Sequence, residues 1–191
     1  MNKKILVIFL AIILMVAVTG CGLWEKIFKQ KAVVPDKTEV REENVDVSQN
    51  VEMTEVVLYF VDETGEYLVP EKRAIAKVPS IARETLNELF LGPKTSGLKP
   101  AVPAGTVLRD INIKPDGLCI VDLSREIVEN HPGGSAAEAL TVYSIVDTLC
   151  QFPTIKKVEF RVEGEKVESL KGHMDLTIPV EKNEAMIKIQ N

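Results

Sequence analysis

The stretch Gly133-Gly134-Ser135-Ala136-Ala137-Glu138, followed by an apolar run that reaches Phe152, decides the fold of this chain. It predicts the start of a long helix. Ser135 is expected at the N-cap, where its hydroxyl accepts the amide hydrogen of Glu138 while the Glu138 carboxylate accepts that of Ser135, a capping box. The two glycines allow a sharp turn before the helix, and Pro153 ends it.

The predicted helix has one apolar stripe at helical spacing, formed by Ala139, Val142, Tyr143, Val146, Leu149 and Cys150. Segments with strand-like patterns lie on both sides of it along the chain. We therefore expect this helix to pack across a sheet.

The strand-like segments are 56–61, 67–69, 73–78, 107–114, 118–123, 157–162 and 166–170. A second helix is predicted from Ser80 to about Leu91, and a short one over 125–129. In segment 107–114 the side chains expected to face the core are Val107, Arg109, Ile111 and Ile113. This order predicts an α+β domain with two main helices packed on a mostly antiparallel sheet.

The chain begins with a basic pair, Lys3 and Lys4, and an apolar run over 5–18. Val18-Thr19-Gly20-Cys21 resembles a lipobox, the pattern in which the cysteine of a bacterial lipoprotein becomes lipidated. Residues 1–20 are then a signal peptide, 21–54 a lipid-anchored linker, 55–180 the folded domain and 181–191 a tail. An uncleaved membrane anchor is the alternative, and in both cases the domain lies outside the cytoplasmic membrane.

Charge and cysteine content limit the function and the covalent structure. The net charge of −5 argues against nucleic-acid binding, which needs clustered Lys and Arg. Cys119 and Cys150 are either a disulfide, which an extracytoplasmic location permits, or two buried free thiols. We favour free thiols, because a domain of this size does not need a disulfide to be stable.

Several landmarks in order resemble the GerMN domain of bacterial sporulation and spore-germination lipoproteins of the GerM type. They are Leu58-Tyr59-Phe60, Leu68-Val69 with Arg73, Leu91-Gly92-Pro93, Pro103-Ala104-Gly105-Thr106, Val121-Asp122-Leu123-Ser124, Gly133-Gly134-Ser135 with Glu138, Thr148-Leu149, and Val162-Glu163-Gly164 followed by Gly172-His173-Met174-Asp175. The match covers about residues 55 to 180.

The resemblance implies a fold similar to the ring-building motifs of secretion-type assemblies. It also implies a membrane-tethered extracytoplasmic module that binds envelope proteins, itself or peptidoglycan. The family has no established catalytic residues to carry over, and its members often contain two such domains in tandem.

One group of residues is a candidate structural or binding loop: His131, Gly133, Gly134, Ser135, Glu138, Gly172, His173 and Asp175. A metal site would need both histidines and a carboxylate, and their spacing does not favour one. We expect His131 to shape the turn into the helix and His173 to anchor the chain after the last strand. No metal and no cofactor are expected.

A second group, Arg73, Arg109 and Tyr143 with the loop 94–106, is a candidate binding face, although each arginine is also consistent with an ordinary solvated strand residue. A wall hydrolase would use a carboxylate pair drawn from Asp122, Glu126 and Glu138. The alternative is that Asp122 and Ser124 satisfy loop amides at a strand end. No Gly-x-Ser-x-Gly motif occurs, and we do not expect an enzyme.

Overall fold

A computed structural model describes residues 51–188 of the protein. The predicted signal peptide, Cys21 and almost all of the predicted linker lie outside the described residues. None of the helices in these residues combines the length and the apolar character that a membrane span requires.

The domain contains two sheets and three α-helices. β1 (Met53–Val61) and β2 (Leu68–Ala76) form an antiparallel hairpin. The second sheet has the order β3 (Leu108–Ile113), β4 (Leu118–Leu123), β5 (Lys157–Val162), β6 (Glu165–Lys166), and β7 (Val180–Glu181) also pairs with β5. The helices are α1 (Ile81–Phe90), α2 (Glu126–Glu129) and α3 (Ser135–Leu149), and a 3-10 turn spans Glu184–Met186.

The predicted α+β fold with a mostly antiparallel sheet is confirmed, with one parallel pair inside it. β4 and β5 run parallel, because the chain between them crosses over through α2 and α3. All other strand pairs are antiparallel. α3 contacts β1, α1 and β5, so it joins the hairpin to the larger sheet. The core around it includes Leu58, Phe60, Leu86, Val121, Leu123, Val142, Ile145, Val158 and Phe160.

Three polar side chains, on α3 and just after its end, complete the outer edge of β1. The Ser144 hydroxyl donates to the Tyr59 carbonyl (2.6 Å), and the Thr148 hydroxyl accepts the Tyr59 amide hydrogen (3.2 Å). Gln151 accepts from the Val57 amide and donates to the Val57 carbonyl, both at 2.8 Å. Ser144 and Thr148 are spaced i, i+4 and share one face of α3, and Gln151 follows just after the helix ends. The helix therefore satisfies a strand edge that would otherwise be buried and unpaired.

β3 does not alternate as the sequence predicted. Leu108 is buried and Val107 is 58% exposed, whereas the prediction put Val107 and Arg109 in the core. The cause is an irregularity in the register with β4 between Leu108 and Asp110, where Arg109 is bulged. The extra residue brings Leu108 and Ile111 to the same face, and Ile111 packs on the core as expected.

The last predicted strand, 166–170, is wrong beyond Lys166. The chain leaves the sheet there and returns only at β7, where Val180 pairs with Val158. The amides of Leu170 and Lys171 bind a carboxylate of α3 instead of a neighbouring strand. The segment after β7 continues along the domain and donates the Lys188 amide to the Leu68 carbonyl (2.8 Å).

Cys119 and Cys150 are free thiols packed in the core, as favoured from the sequence. Burial raises the pKa of Cys119 to about 12 and that of Cys150 to about 11. Both thiols are therefore protonated and act as small apolar groups.

Candidate functional site

The start of α3 is built differently from the predicted capping box. Ser135 is the first helical residue, the N-cap is Gly134, and no side chain caps the helix. Gly133 and Gly134 have φ of 84° and 89°, a left-handed conformation that favours glycine. Because both glycines are used for the turn, Ser135 already lies inside the helix and cannot serve as its cap.

Glu138 is fully buried and anchors the loop after β6. One carboxylate oxygen accepts the amide hydrogens of Leu170 (2.8 Å) and Lys171 (3.1 Å), and the other accepts that of His173 (2.9 Å). Burial alone would raise the pKa of Glu138, but these bonds hold it below its usual value. Glu138 is thus an ionised structural link between α3 and residues 170–173.

His131 is a buried, neutral imidazole whose hydrogen bonds connect the glycine turn, α3 and, through Thr141, the loop at Ala101. Its Nδ1 accepts the Gly133 amide hydrogen (3.0 Å), and its Nε2 lies 3.2 Å from the Thr141 hydroxyl. That hydroxyl donates to the Ala101 carbonyl (2.6 Å), so it accepts from Nε2, which carries the proton. Burial lowers the pKa of His131. His131 therefore shapes the turn into α3, the role expected from the sequence.

The structure does not bring the two imidazoles together with an acid. His131 is buried, whereas His173 is exposed and is held through its backbone amide. Asp175 is exposed and accepts the Thr177 amide hydrogen (2.8 Å), and the Gly172 amide donates to Ser169 (2.8 Å). Within residues 51–188, no group of three or more His, Cys, Asp or Glu side chains is placed to hold a metal ion.

An apolar groove of about 580 Å³ lies at the start of α3 and is the candidate functional site. One wall is the loop 99–103 and the other is 132–137, with Val61, Leu140 and Thr141 also in the lining. Three prolines line it, Pro100, Pro103 and Pro132, which restrict the backbone of both walls. The Thr141 bonds to His131 and Ala101 connect the two walls. The groove is therefore a stiff apolar surface.

Arg73 is not part of a binding face and is not solvated, so both readings from the sequence are wrong. It is buried and forms ion pairs with Glu71 and Glu88, the latter at 3.1 Å. It also donates to the carbonyls of Glu88 (2.8 Å) and Gly92 (3.0 Å), and its guanidinium lies 5.6 Å from the Phe60 ring centre. Arg73 thus caps the end of α1 and fixes it to β2.

Arg109 and two acids form an exposed network on the larger sheet. The Arg109 guanidinium lies 2.7 Å from a Glu163 carboxylate oxygen and 3.3 Å from one of Asp122. Asp122 also accepts the Gly164 amide hydrogen (2.8 Å), and the Ser124 hydroxyl accepts an amide hydrogen from the start of β3. Asp122 and Ser124 therefore satisfy loop amides at a strand end, the structural alternative considered for them.

Tyr143 lies beside a second depression of about 350 Å³, which residues 174–183 line. Nearby, Asp147 is buried, and one of its oxygens accepts the Asn183 amide hydrogen (3.0 Å). Its other oxygen has no hydrogen-bond partner among the described residues. Burial raises the pKa of Asp147 to about 6. No pattern in the sequence pointed to this group, since Asp147 lies within the apolar helix pattern.

A β-hairpin and a five-stranded sheet joined by one buried helix make this an α+β domain of the GerMN class. The first GerMN domain of the sporulation protein GerM from Bacillus subtilis superposes with a TM-score of 0.57 at 27% identity, over 67% of this chain and 97% of that one. The tandem GerMN domains of the same protein give 0.59 at 27% identity, over 68% of this chain and 46% of that one.

The chain belongs to the family described as "Germane: Sporulation and spore germination", whose model matches residues 57–168. It is 32% identical over 118 residues to the spore germination protein GerM of Bacillus subtilis (strain 168), a match that covers 59% of this chain and 31% of that protein. The chain thus spans about a third of the length of this curated relative. A putative lipoprotein from Clostridium perfringens is also similar, with a TM-score of 0.51 at 28% identity over 74% of this chain and 97% of that one.

Proposed function

We propose that this protein is a membrane-tethered extracytoplasmic module of sporulation or spore germination that acts by contact and not by catalysis. Its partner is an envelope protein or another copy of itself. Family membership supports the spore-related role. The lipobox-like Val18-Thr19-Gly20-Cys21 supports the tether, and one structural relative is described as a putative lipoprotein.

The apolar groove carries the contact part of the proposal. A catalytic acid or base must reach a substrate proton, but two of the three acids that the sequence offered already accept backbone amide hydrogens. Glu138 is fully buried, and Asp122 binds Gly164 and Arg109. The groove instead presents proline and alanine side chains on two fixed walls. Such a surface favours an apolar segment of a protein, because burying apolar area requires no reactive group.

A photo-crosslinking amino acid at Ala136, an exposed residue of the groove, tests this function in sporulating cells. We expect a specific protein adduct at Ala136 and none at Asn87, an exposed residue of α1 that serves as the matched control. Equal adducts at both positions, or none at either, would contradict contact through the groove.

Two assays with wall polymer separate contact from the other possibilities. The purified full chain is mixed with peptidoglycan, spore cortex included, and retention and released labelled fragments are measured. If the chain is retained on peptidoglycan but Ala136 gives no protein adduct, the partner is the wall polymer and not a protein. Release of soluble fragments would show a wall hydrolase and refute the non-enzymatic proposal.

A further inference from the structure

Within the described part of the chain, the outer edge of β3 pairs with no other strand, whereas the edges of β1 and β2 are closed or interrupted. The polar side chains of Ser144, Thr148 and Gln151, on α3 and just after it, close the edge of β1. On β2 the outward positions include Pro70, which has no amide hydrogen to offer. On β3, residues 110–113 pair regularly with β4 on one side only. The bulge at Arg109 interrupts the edge on one side of this stretch, but residues 110–113 remain regular and can accept a partner strand.

The backbone groups that point away from β4 are those of Ile111 and Ile113. The Lys114 amide donates to the Leu118 carbonyl (2.8 Å), and Asn112 stands opposite Ile120. In an antiparallel ladder these inward-bonded residues alternate with residues whose groups point outward. Within residues 51–188, the outward groups of Ile111 and Ile113 form no hydrogen bond.

The side chains of β3 have opposite characters on its two faces. Ile111 and Ile113 line an apolar depression of about 370 Å³ with the start of α1 and Phe152, and Ile113 is 42% exposed. Asp110, Asn112 and Lys114 line the other face together with strands β4 and β5. A strand added at this edge would extend the apolar layer on one face and a polar layer on the other.

We propose that β3 pairs with β3 of a second copy of this chain, antiparallel and centred on Asn112. In this register Ile111 stands opposite the partner's Ile113, and Asp110 stands opposite the partner's Lys114. Each contact occurs twice because the arrangement is two-fold symmetric. The hydrogen-bonded pairs are then Ile111 with the partner's Ile113 on each side of the axis, and these are the residues whose backbone groups point outward.

Charge and side-chain matching select both this register and a like partner. If the strands were centred on Ile111, Asp110 would stand opposite the partner's Asn112 and would have no counter-charge across the new pair. Centring on Asn112 keeps each apolar residue opposite an apolar one and each charge opposite its counter-charge. Asp110 is already oriented by an ion pair with Arg83 (3.0 Å).

The pairing covers few residues and is therefore weak in solution. Tethering two copies to one membrane raises their effective concentration, so the pairing is expected at the membrane surface. It rests on the proposed function, because it names a second copy as a partner of the contact module.

A cysteine at the symmetry axis tests the register. Asn112→Cys places two thiols opposite each other in a non-hydrogen-bonded pair, where the Cα atoms are about 4.5 Å apart, within the range of a disulfide. The full chain is expressed in its membrane and oxidised mildly. We expect a disulfide-linked dimer for Asn112→Cys and little for Asn87→Cys, an exposed control on α1. Equal dimer yields from the two variants would overturn the proposal.

A charge swap tests the partner's identity. Asp110→Lys and Lys114→Asp, each made in the Asn112→Cys background, place like charges opposite each other twice per dimer and are expected to lower the dimer yield about tenfold. The double swap restores both opposite-charge pairs and should restore the yield. Like Asp110→Lys, the double swap lacks the ion pair with Arg83. If Asp110→Lys lowered the dimer yield only by disturbing the fold, the double swap would therefore not restore it. Failure of the double swap to exceed both single swaps would refute pairing between copies.

The outcomes separate this inference from the proposed function. If the Asn112→Cys dimer is absent while Ala136 still captures a protein, self-pairing through β3 is wrong and the contact function stands. If both are absent, both proposals fail.

Discussion

Replacing Asp147 by asparagine is expected to stabilise the protein at neutral pH, which is unusual for a fully buried polar residue. The Asp147 carboxylate is 1% exposed and accepts one hydrogen bond, from the Asn183 amide (3.0 Å). Burial raises its pKa from 3.8 to about 6, with Lys182 opposing and Glu184 adding to the rise. The fold therefore favours the protonated acid and is destabilised when the acid is ionised.

The size of the effect follows from the two pKa values. When Asp147 is ionised in both states, a rise from 3.8 to about 6 costs the fold about 3 kcal/mol. This cost is complete above pH 6 and disappears as the pH falls towards 4. The asparagine keeps the acceptor oxygen for Asn183 but leaves its amide group without a partner, which costs about 1 kcal/mol. We expect Asp147→Asn to be more stable by about 1 to 2 kcal/mol at pH 7.5.

Urea unfolding followed by far-UV circular dichroism at pH 4.5, 6 and 7.5 measures this difference. The gain should shrink as the pH falls, and it should vanish or reverse at pH 4.5, where the native acid is protonated. Asp116→Asn is the matched control: Asp116 is exposed and also accepts one backbone amide hydrogen, from Leu118 (3.1 Å). A loss of stability in Asp147→Asn at pH 7.5, or a gain that does not change with pH, would refute the reasoning.

Four further substitutions test the structural assignments by unfolding free energy. Glu138→Ala removes the acceptor of three amide hydrogens and should lower the free energy of unfolding by about 3 kcal/mol or more. Ser135→Ala should lower it by less than about 0.5 kcal/mol, because Ser135 caps nothing. Equal losses in the two variants would support the predicted capping box instead. Arg73→Ala leaves buried carboxylates without their cation and should lower the free energy of unfolding by about 3 to 5 kcal/mol. A loss as small as that of an exposed residue would indicate that Arg73 lies in solvent. Thr148→Val leaves the Tyr59 amide unpaired at nearly constant side-chain volume and should lower the free energy of unfolding by about 1 to 3 kcal/mol. Amide hydrogen exchange at Tyr59 should become faster. Unchanged exchange would show that Thr148 does not bind the edge of β1.

Much of the fold was predictable because periodicity reports which face of an element is buried. The alternation of Cys119, Val121 and Leu123 placed all three in the core, and each has an exposure of 0%. The predicted stripe of α3 was right for Val142, Val146 and Leu149, but the helix is also buried on other sides, at Leu140, Ser144, Ile145 and Thr148. The β3 bulge was not predictable, because one extra residue at Arg109 reverses the alternation and depends on how β3 meets β4.

The candidate site was predictable in part. The sequence singled out the glycine loop and Glu138, but it paired Glu138 with Ser135, the local partner. The structure pairs Glu138 with Leu170 and Lys171, more than thirty positions away. Sequence patterns show contacts within one or two turns of a helix, whereas a buried carboxylate binds the amides that the folded chain brings to it.

The sequence alone determined the α+β class, the family, the order of strands and helices up to β5 and the turn that starts α3, since each depends on local spacing and residue type. Only the tertiary structure decided that Arg73 is buried, that the walls 99–103 and 132–137 enclose a groove, and that β3 keeps an open edge. Those properties depend on which segments come into contact after the chain crosses over between β4 and β5, and a local sequence pattern does not show contacts between distant segments.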